Sequence, residues 1–258
     1  MRKIRWISIA LSLYLLLITC VTPASAVSNN VQVVSEAQRE THMKEHICNF
    51  LNGVDGYYVL DRLGNNRSVN EVKAAYMTIA NKNTRSYSTQ ELTPENLDLD
   101  LYFQMLAATG TYHYSCIPTS VREITTNHYR AYLHIESIKV YKEANDSYFD
   151  TAISIDATCQ VSFSISNGNR SIYAASAPDS YLYAMGFGGP EWEATYDPDI
   201  ETATISGSQV RHKVHATVYY EGFVESGLGG GAFSLVYQNV GFDKYYNVNS
   251  IDLEDWGF

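Results

Sequence analysis

The sequence predicts an α+β protein in which a short N-terminal helical segment precedes an antiparallel β-sandwich or barrel-like sheet. The hydrophobic period is helical before about residue 125 and becomes two after it. Between residues 151 and 166, seven apolar side chains fall on successive odd numbers, which is typical of a long strand with one dry face. Asn167-Gly168 follows at once and favours a tight β-hairpin. We therefore expect the odd side chains of this strand inside and the even ones in solvent.

Three helices are predicted ahead of the strands. From Glu36 to Leu51, apolar and small residues recur every three or four positions, and Gly53 ends the run. Residues 68–71 form a capping-box string that starts a second helix. Pro94 is expected at the first position of a third helix that runs to Gly110. The connecting segments, predicted to be loops, are 52–67 and 81–92.

Turn residues predict how the strands pair. Folding the chain at Asn167-Gly168 keeps an apolar inner face on both strands of the hairpin. The pairs expected opposite each other are Phe163 with Ile172 and Val161 with Ala174. A second hairpin is expected at Gly207-Ser208. In the strand around 129–141, apolar side chains change from odd to even numbers after Ile135, which predicts a β-bulge near Ser137.

Residues 1–26 are predicted to be a cleavable secretory signal. Three basic side chains precede an apolar run, and Ala24-Ser25-Ala26 supplies the small residues that a signal peptidase accepts. An uncleaved anchor and acylation of Cys20 are the alternatives. We expect a secreted, extracellular protein with no membrane span after signal removal, divided into a helical segment at 27–125 and an antiparallel β domain at 126–258.

The charge balance argues against a nucleic-acid partner. The chain has 18 basic and 28 acidic residues, and removing the three basic residues of the signal makes the excess of acid larger. Nucleic acids and anionic lipids favour clusters of Lys and Arg. An acidic surface fits an extracellular protein and is compatible with binding of divalent cations.

Three cysteines follow the signal, which is an odd number. Cys159 falls on the apolar side of the alternating strand and is predicted to be a free, buried thiol. By elimination, Cys48 and Cys116 are predicted to form one disulfide, which export to an oxidising compartment allows. Sequence spacing alone does not determine cysteine connectivity.

The string His42-Met43-Lys44-Glu45-His46 predicts a metal site on the first helix. Histidines four residues apart on a helix lie on one face, close enough to share an ion. The string resembles the H-x-x-E-H zinc site of the inverzincin peptidases, which implies His42 and His46 as zinc ligands and Glu45 as the base. A distal carboxylate would complete the site, and Glu123 is a candidate. The alternative is a solvated helix flank.

A calcium site is a second possibility for metal binding. Asp197, Asp199 and Glu201 surround Pro198, but residues two apart in an extended strand lie about 7 Å from each other. They can share one ion only if Pro198 bends the chain, since calcium needs oxygens at about 2.4 Å. The alternative is a charged turn or edge.

Aromatic side chains are abundant, with 21 tyrosines. Outward-facing rings could stack on sugars, whereas the alternative is ordinary cross-strand pairing. The candidates for sugar stacking are Tyr57, Tyr58, Tyr173, Tyr219, Trp192 and Trp256. Gly227–Gly231 is expected to be a hairpin loop, and His212, expected opposite Ala203, is predicted to lie at the rim of the sheet.

These patterns favour a secreted binding protein over an enzyme. Its partner would be an envelope glycan, a matrix component or another extracellular protein, because no convincing catalytic constellation accompanies the long strands and aromatic side chains. The alternative is a metal-dependent hydrolase that uses zinc at His42, Glu45 and His46. A membrane-active β protein is a third class, and the acidic charge argues against it.

Overall fold

The computed structural model describes residues 36–83, 92–141, 151–182, 192–226 and 229–258. The predicted signal, residues 1–26, lies outside this part of the chain. The described helices are α1 (Glu36–Leu51), α2 (Val69–Asn83) and α3 (Leu99–Thr109), with short 3-10 turns at Val248–Ser250 and Glu254–Trp256. None of the described helices has the length and apolar character needed to cross a bilayer.

The described strands form two antiparallel sheets. The strands of the first sheet are β1 (Tyr57–Leu60), β2 (Asn66–Arg67), β3 (Tyr112–Thr125), β4 (His128–Tyr141), β5 (Thr151–Ser166), β6 (Asn169–Ala175) and β7 (Asp179–Leu182). Those of the second are β8 (Trp192–Ser206), β9 (Gln209–Ser226) and β10 (Gly229–Asn247). The first sheet has the order β2-β1-β3-β4-β5-β6, and β7 also pairs with β5; the second has the order β10-β9-β8.

The first sheet is the middle layer of the molecule. One of its faces packs on the second sheet, where Ile155, Val161 and Phe163 meet Val214 and other inner residues of β9 and β10 in one core. Its other face carries the helices, and a second core there joins the three helices to side chains of the sheet. The predicted class, α+β with helices ahead of an antiparallel sandwich, is confirmed.

The helix ends follow the expected chemistry with one exception. Ser68 and Glu71 form the reciprocal capping box at the start of α2, and α3 ends at Gly110 with φ 65°. The prediction that α3 starts at Pro94 is wrong. The helix starts at Leu99 because the Asp98 side chain accepts a hydrogen bond from the backbone N–H of Leu101 and caps it.

Three strands lie within the segment predicted to be helical. The prediction of a loop at 52–67 is wrong, since β1 and β2 occupy part of it and β1 pairs with β3. β3 pairs along its whole length with β4, so that one sheet includes strands from both sides of residue 125. Short strands of four and two residues carry too little alternation to be recognised from sequence.

The odd-numbered side chains of β5 from Ile153 to Phe163 are buried against the second sheet, as the parity predicts, and Ile165 is partly buried there. The even-numbered ones do not all meet solvent: Ala152, Ser154 and Asp156 are buried under the helices, and only further along the strand do Thr158 and Gln160 reach the surface. The predicted bulge near Ser137 is wrong as well. β4 and β5 pair without a register shift, because the apolar even-numbered Ile138 belongs to the helix-side core.

Both predicted hairpins are formed. The Asn167-Gly168 turn has positive φ at both residues, and Phe163 lies opposite Ile172. Ala174 lies opposite Ser162 and not Val161, because a bulge between Ser162 and Phe163 shifts the register by one residue. The second hairpin turns at Gly207-Ser208.

Candidate metal centre

Helix α1 lies over the helix-bearing face of the first sheet. Met43, Ile47 and Phe50 are buried and fix the face that α1 turns toward the protein. His42 and His46 border this face, four residues apart, so that both rings reach the sheet below. The helix thus brings two imidazoles to the middle strands of the sheet, where β4 and β5 pair.

Two carboxylates lie directly opposite each other beneath the helix. Glu136 on β4 pairs in register with Asp156 on β5, and the side chain of each is 2% exposed. Like charges directly opposite in a sheet repel each other, and burial from water increases that cost. Positive charge must therefore compensate this pair, and the neighbouring histidines supply it.

The contacts form one connected cluster. Glu136 Oε1 lies 3.2 Å from His42 Nε2 and accepts a hydrogen bond of 2.8 Å from Ser154 Oγ, and Glu136 Oε2 lies 2.5 Å from His46 Nδ1. Asp156 Oδ2 lies 3.3 Å from His134 Nε2. The rings of His42 and His134 are 30% and 27% exposed, so the cluster is closed on one side and open to solvent on the other.

Three of these residues form a group that could hold a metal ion. His42, Glu136 and Asp156 each offer one ligand atom, and these atoms lie within 4.8 Å of one another. Two atoms bound to a tetrahedral zinc ion at about 2.0–2.1 Å are separated by about 3.3 Å. The 3.2 Å distance between His42 Nε2 and Glu136 Oε1 matches that separation.

His46 has a different role from His42. Its 2.5 Å contact with Glu136 Oε2 is too short for two ligands of one ion and is a charge-assisted hydrogen bond. A histidine that bonds the far oxygen of a ligating carboxylate orients that carboxylate. His46 is buried, and its ring meets those of Tyr57 and His113 edge-on.

The charges of the cluster are mutually dependent. Burial alone would raise the pKa of Glu136, but attraction to His46 and hydrogen bonds from both histidines hold it well below its ordinary value. Burial lowers the pKa of His42, but the hydrogen bond to Glu136 and the negative charges of Glu136, Asp156 and Glu45 together outweigh burial and raise it. The hydrogen bond to Asp156 raises the pKa of His134. An ionised Glu136 only accepts hydrogen bonds, so His42 Nε2 and His46 Nδ1 donate to it when no ion is bound, and a metal ion would displace the Nε2 proton of His42.

Asp156 is the carboxylate with the higher proton affinity. Burial raises its pKa, and the charge of Glu136 raises it further, whereas His134 and His42 oppose the shift. The two acids therefore differ strongly: one is ionised and held by two histidines, and the other is short of positive charge. A divalent cation between them would supply the missing charge.

The structure assigns the predicted metal residues to different places. His42 enters the group of ligand atoms, His46 lies behind it, and Glu45 is exposed on α1. The suggestion of Glu123 as the distal carboxylate is wrong. Glu123 is exposed near the β3–β4 turn, where its Oε1 accepts a hydrogen bond from the Asn127 backbone.

The other predicted sites are not assembled into groups. Asp197, Asp199 and Glu201 do not form a ligand group among the described residues, although the strand has an irregularity between Pro198 and Ile200. Glu201 instead accepts a hydrogen bond from the Ser180 backbone N–H at 2.8 Å, which ties β8 to β7.

The candidate stacking aromatics lie on different elements. Tyr58, Tyr173 and Tyr219 are exposed, Tyr57 and Trp256 are half-buried, and the side chain of Trp192 lies outside the described part. Tyr58 is on β1, Tyr173 on β6 and Tyr219 on β9.

The predicted disulfide is not formed. Cys48 and Cys116 are free thiols in different cores: Cys48 packs among the helices, and Cys116 lies on the opposite face of the sheet. The pairing of Cys48 with Cys116 by elimination was wrong because the sequence does not show which face of β3 carries Cys116. Cys159 is free and buried, as its parity predicts.

His212 lies opposite Ala203, as predicted, but the expectation of a rim position is wrong. Its even number puts it on the inner face of β9, where it is fully buried. Neither ring nitrogen has a hydrogen-bond partner among the described residues. Burial lowers the pKa of His212 to about 4.

Sequence reasoning missed Glu136, Asp156 and His134. All three stand on the even-numbered, polar sides of β4 and β5, which the alternation predicts to face solvent. The signal that could have found them is the pair His134-x-Glu136, since residues two apart share a face of a strand. The facing of Glu136 and Asp156 could not be read, because the register of β4 on β5 is not set by a recognisable turn.

Comparison with known proteins gives no relative. No family model, curated protein or solved structure matches this chain.

Proposed function

We propose that this protein binds a divalent transition-metal ion, best fitted by zinc, at His42, Glu136 and Asp156. The observation that carries the proposal is the buried cross-strand pair of Glu136 and Asp156, with the ring of His42 at ligand distance. Nitrogen and carboxylate oxygen are ligands that zinc accepts in proteins. The second set of contacts, His46 to Glu136 and His134 to Asp156, supports the proposal because such partners orient metal ligands.

A metal-dependent hydrolase is the activity that this site supports best. Three protein ligands leave a fourth position for water, and the partial exposure of His42 and His134 gives that position a path to solvent. A zinc ion there would lower the pKa of its water to about 7. His134 stands at the open side and is suited to exchange a proton with the bulk. In this proposal Glu45 is not the base, and the titratable side chains of β4 and β5 at the site take that role.

The role of a secreted binding protein for a glycan or another protein stays a second proposal. Its support is the exposure of Tyr58, Tyr173 and Tyr219. These rings are spread over three strands of two sheets, which favours the metal centre as the better supported site.

Metal binding is tested by titrating metal-free protein with zinc in a calorimeter and by measuring bound metal after purification. We expect one zinc ion per chain and a higher melting temperature with zinc than with chelator. His42→Gln and Asp156→Asn should abolish stoichiometric binding. His46→Gln should keep the stoichiometry and weaken affinity by about 10–100-fold, as loss of an orienting partner does.

Glu45→Gln is the matched control, because it changes an exposed carboxylate on the same helix. Its zinc affinity should equal that of the unaltered protein. Absence of saturable zinc binding to the unaltered protein, or equal loss in Glu45→Gln and Asp156→Asn, would refute the metal centre. Hydrolysis is measured on a panel of p-nitrophenyl esters with and without zinc.

A further inference from the structure

Three basic side chains lie around the end of β4 and the loop between β1 and β2. Lys139 lies near the end of β4, Lys244 is on the inner side of β10, and Arg62 is in the loop between β1 and β2. Both lysines contact the ring of Tyr112: Lys139 Nζ is 4.7 Å and Lys244 Nζ is 5.5 Å from the ring centroid. The two ammonium groups thus share one aromatic ring.

A cavity of about 320 Å³ opens beside these residues. Its size is that of a small-molecule site, which typically measures about 300–1,000 Å³. Its lining includes Arg62 and Lys139 as the charged groups and Leu106, Tyr112 and Val140 as apolar ones. The cavity is therefore lined by both cationic and apolar side chains.

Two glycines make room for the cationic side chains. A Cβ atom at Gly110 would lie 2.6 Å from Arg62 Nε, and one at Gly64 would lie 2.9 Å from Lys244 Nζ. Both side chains thus lie directly against backbone that carries no side chain. Any larger residue at Gly110 would push the Arg62 guanidinium from its place beside the cavity.

No acid neutralises this group within the described part of the chain. The ion pairs found there involve other cations, such as Arg211 with Asp243, and Lys139 donates instead to the carbonyl oxygen of Gly241 at 2.5 Å. Burial and the nearby charge of Lys244 lower the pKa of Lys139 to about 8. Three unneutralised cations stand out in a chain with 28 acidic residues.

From this geometry we propose that the cavity binds a small organic oxyanion, a carboxylate or phosphate with an apolar body. Its oxygens lie against Lys139 and Arg62, and its body lies on Leu106 and Val140. Lys139 retains two N–H groups for the ligand, since an ammonium has three and Gly241 takes one. A bound oxyanion also offsets the repulsion between the two lysines, to which the Tyr112 ring and the Gly241 carbonyl oxygen offer only partial charges. This site is independent of the proposed metal centre.

The test is calorimetric titration of metal-free full-length protein with three probes: acetate, benzoate and inorganic phosphate. The expected result is saturable one-site binding of benzoate, with acetate weaker because it lacks the apolar body. Tighter phosphate than benzoate would assign the site to phosphate esters, and the reverse to carboxylates. Arg62→Gln and Lys139→Met should each weaken binding at least about tenfold, the loss expected for one charge-assisted contact.

Two controls separate this site from general charge and from the metal centre. Lys73→Gln removes a charge on α2, and Asp156→Asn removes a proposed metal ligand; both should keep benzoate affinity unchanged. Thermal melts of each variant without ligand verify folding, and Arg62→Gln, at an exposed position, decides the result if Lys139→Met does not fold. No saturable binding of any probe, or equal weakening by Lys73→Gln and Arg62→Gln, would overturn the proposal.

Discussion

Replacing Glu136 with glutamine tests the electrostatic core of the candidate site without changing its shape. The carboxylate interacts with His42, His46 and Ser154 and is almost completely buried. Glutamine has nearly the same volume, so no cavity forms, but the charge that the two imidazoles face is lost. Removing one member of a buried ion pair costs about 3–5 kcal/mol, and we expect a loss of free energy of unfolding in that range at pH 6.

The loss should depend on pH in a direction set by the pKa shifts. The pKa of Glu136 is lowered in the folded state, so its stabilisation is present above the ordinary value of 4.5 and disappears as the pH falls through the folded value. The pKa of His42 is raised, so its stabilisation is complete below 6.5 and disappears as the pH rises through the raised value. The difference between the two proteins should therefore be largest between pH 4.5 and 6.5.

The measurement is urea unfolding at several pH values with chelator present, so that bound metal does not contribute. Glu45→Gln is the control and should change the free energy of unfolding by less than about 0.5 kcal/mol, as surface substitutions do. A Glu136→Gln protein as stable as the unaltered one at pH 6 would refute the reasoning, because the carboxylate could not then be the counter-ion of α1. A difference that grows above pH 8 would refute the assignment of the histidines as its partners.

Three further predictions concern the residues that hold the sheets together. Gly241→Ala should lower the free energy of unfolding by about 3 kcal/mol or more, since φ is 137° and the new Cβ would lie 2.2 Å from the Val214 carbonyl oxygen. Gly168→Ala, with φ 78° and open space around the new Cβ, should lower it by only about 1 kcal/mol; urea unfolding measures both. Phe163→Ala should cost about 3–5 kcal/mol in the same assay, because this fully buried ring stacks on that of Tyr129. Reductant should leave the melting temperature unchanged, and alkylation of denatured, unreduced protein followed by mass spectrometry should label all three thiols: Cys48, Cys116 and Cys159.

The parity of β5 was predictable because one face of that strand is buried along most of its length. Alternation and a two-residue turn are local signals, and both survive in the structure, with Phe163 opposite Ile172. The burial of the even-numbered face of β5 could not be predicted in the same way. Its burial depends on α1, which packs on the sheet from about a hundred residues earlier in the chain, and no local pattern in β5 records that contact.

The incorrect prediction of a bulge near Ser137 also arises because local sequence reasoning does not include the helices that pack on the sheet. Local reasoning assumes that a strand has one apolar face, so that a change of parity must be a bulge. In this sheet the odd face meets the second sheet and the even face meets the helices, and Ile135 and Ile138 are both fully buried on opposite sides of a regular strand. A strand of the middle sheet therefore has the sequence pattern of a bulged strand when only one of the two layers that pack on it is considered.

The same layering explains why the site was only half predicted. His42 and His46 lie on one helix, and helical periodicity places them together from sequence alone. Their carboxylate partners lie on β4 and β5, where polar even-numbered positions are ordinarily solvent-facing. Once α1 covers that face, Glu136 and Asp156 are deprived of water, and only the imidazoles, protons or a cation can compensate them. The contact that docks α1 is thus also the one that gives the site its charge, and metal binding and attachment of the helix should be lost together when Glu136 is neutralised.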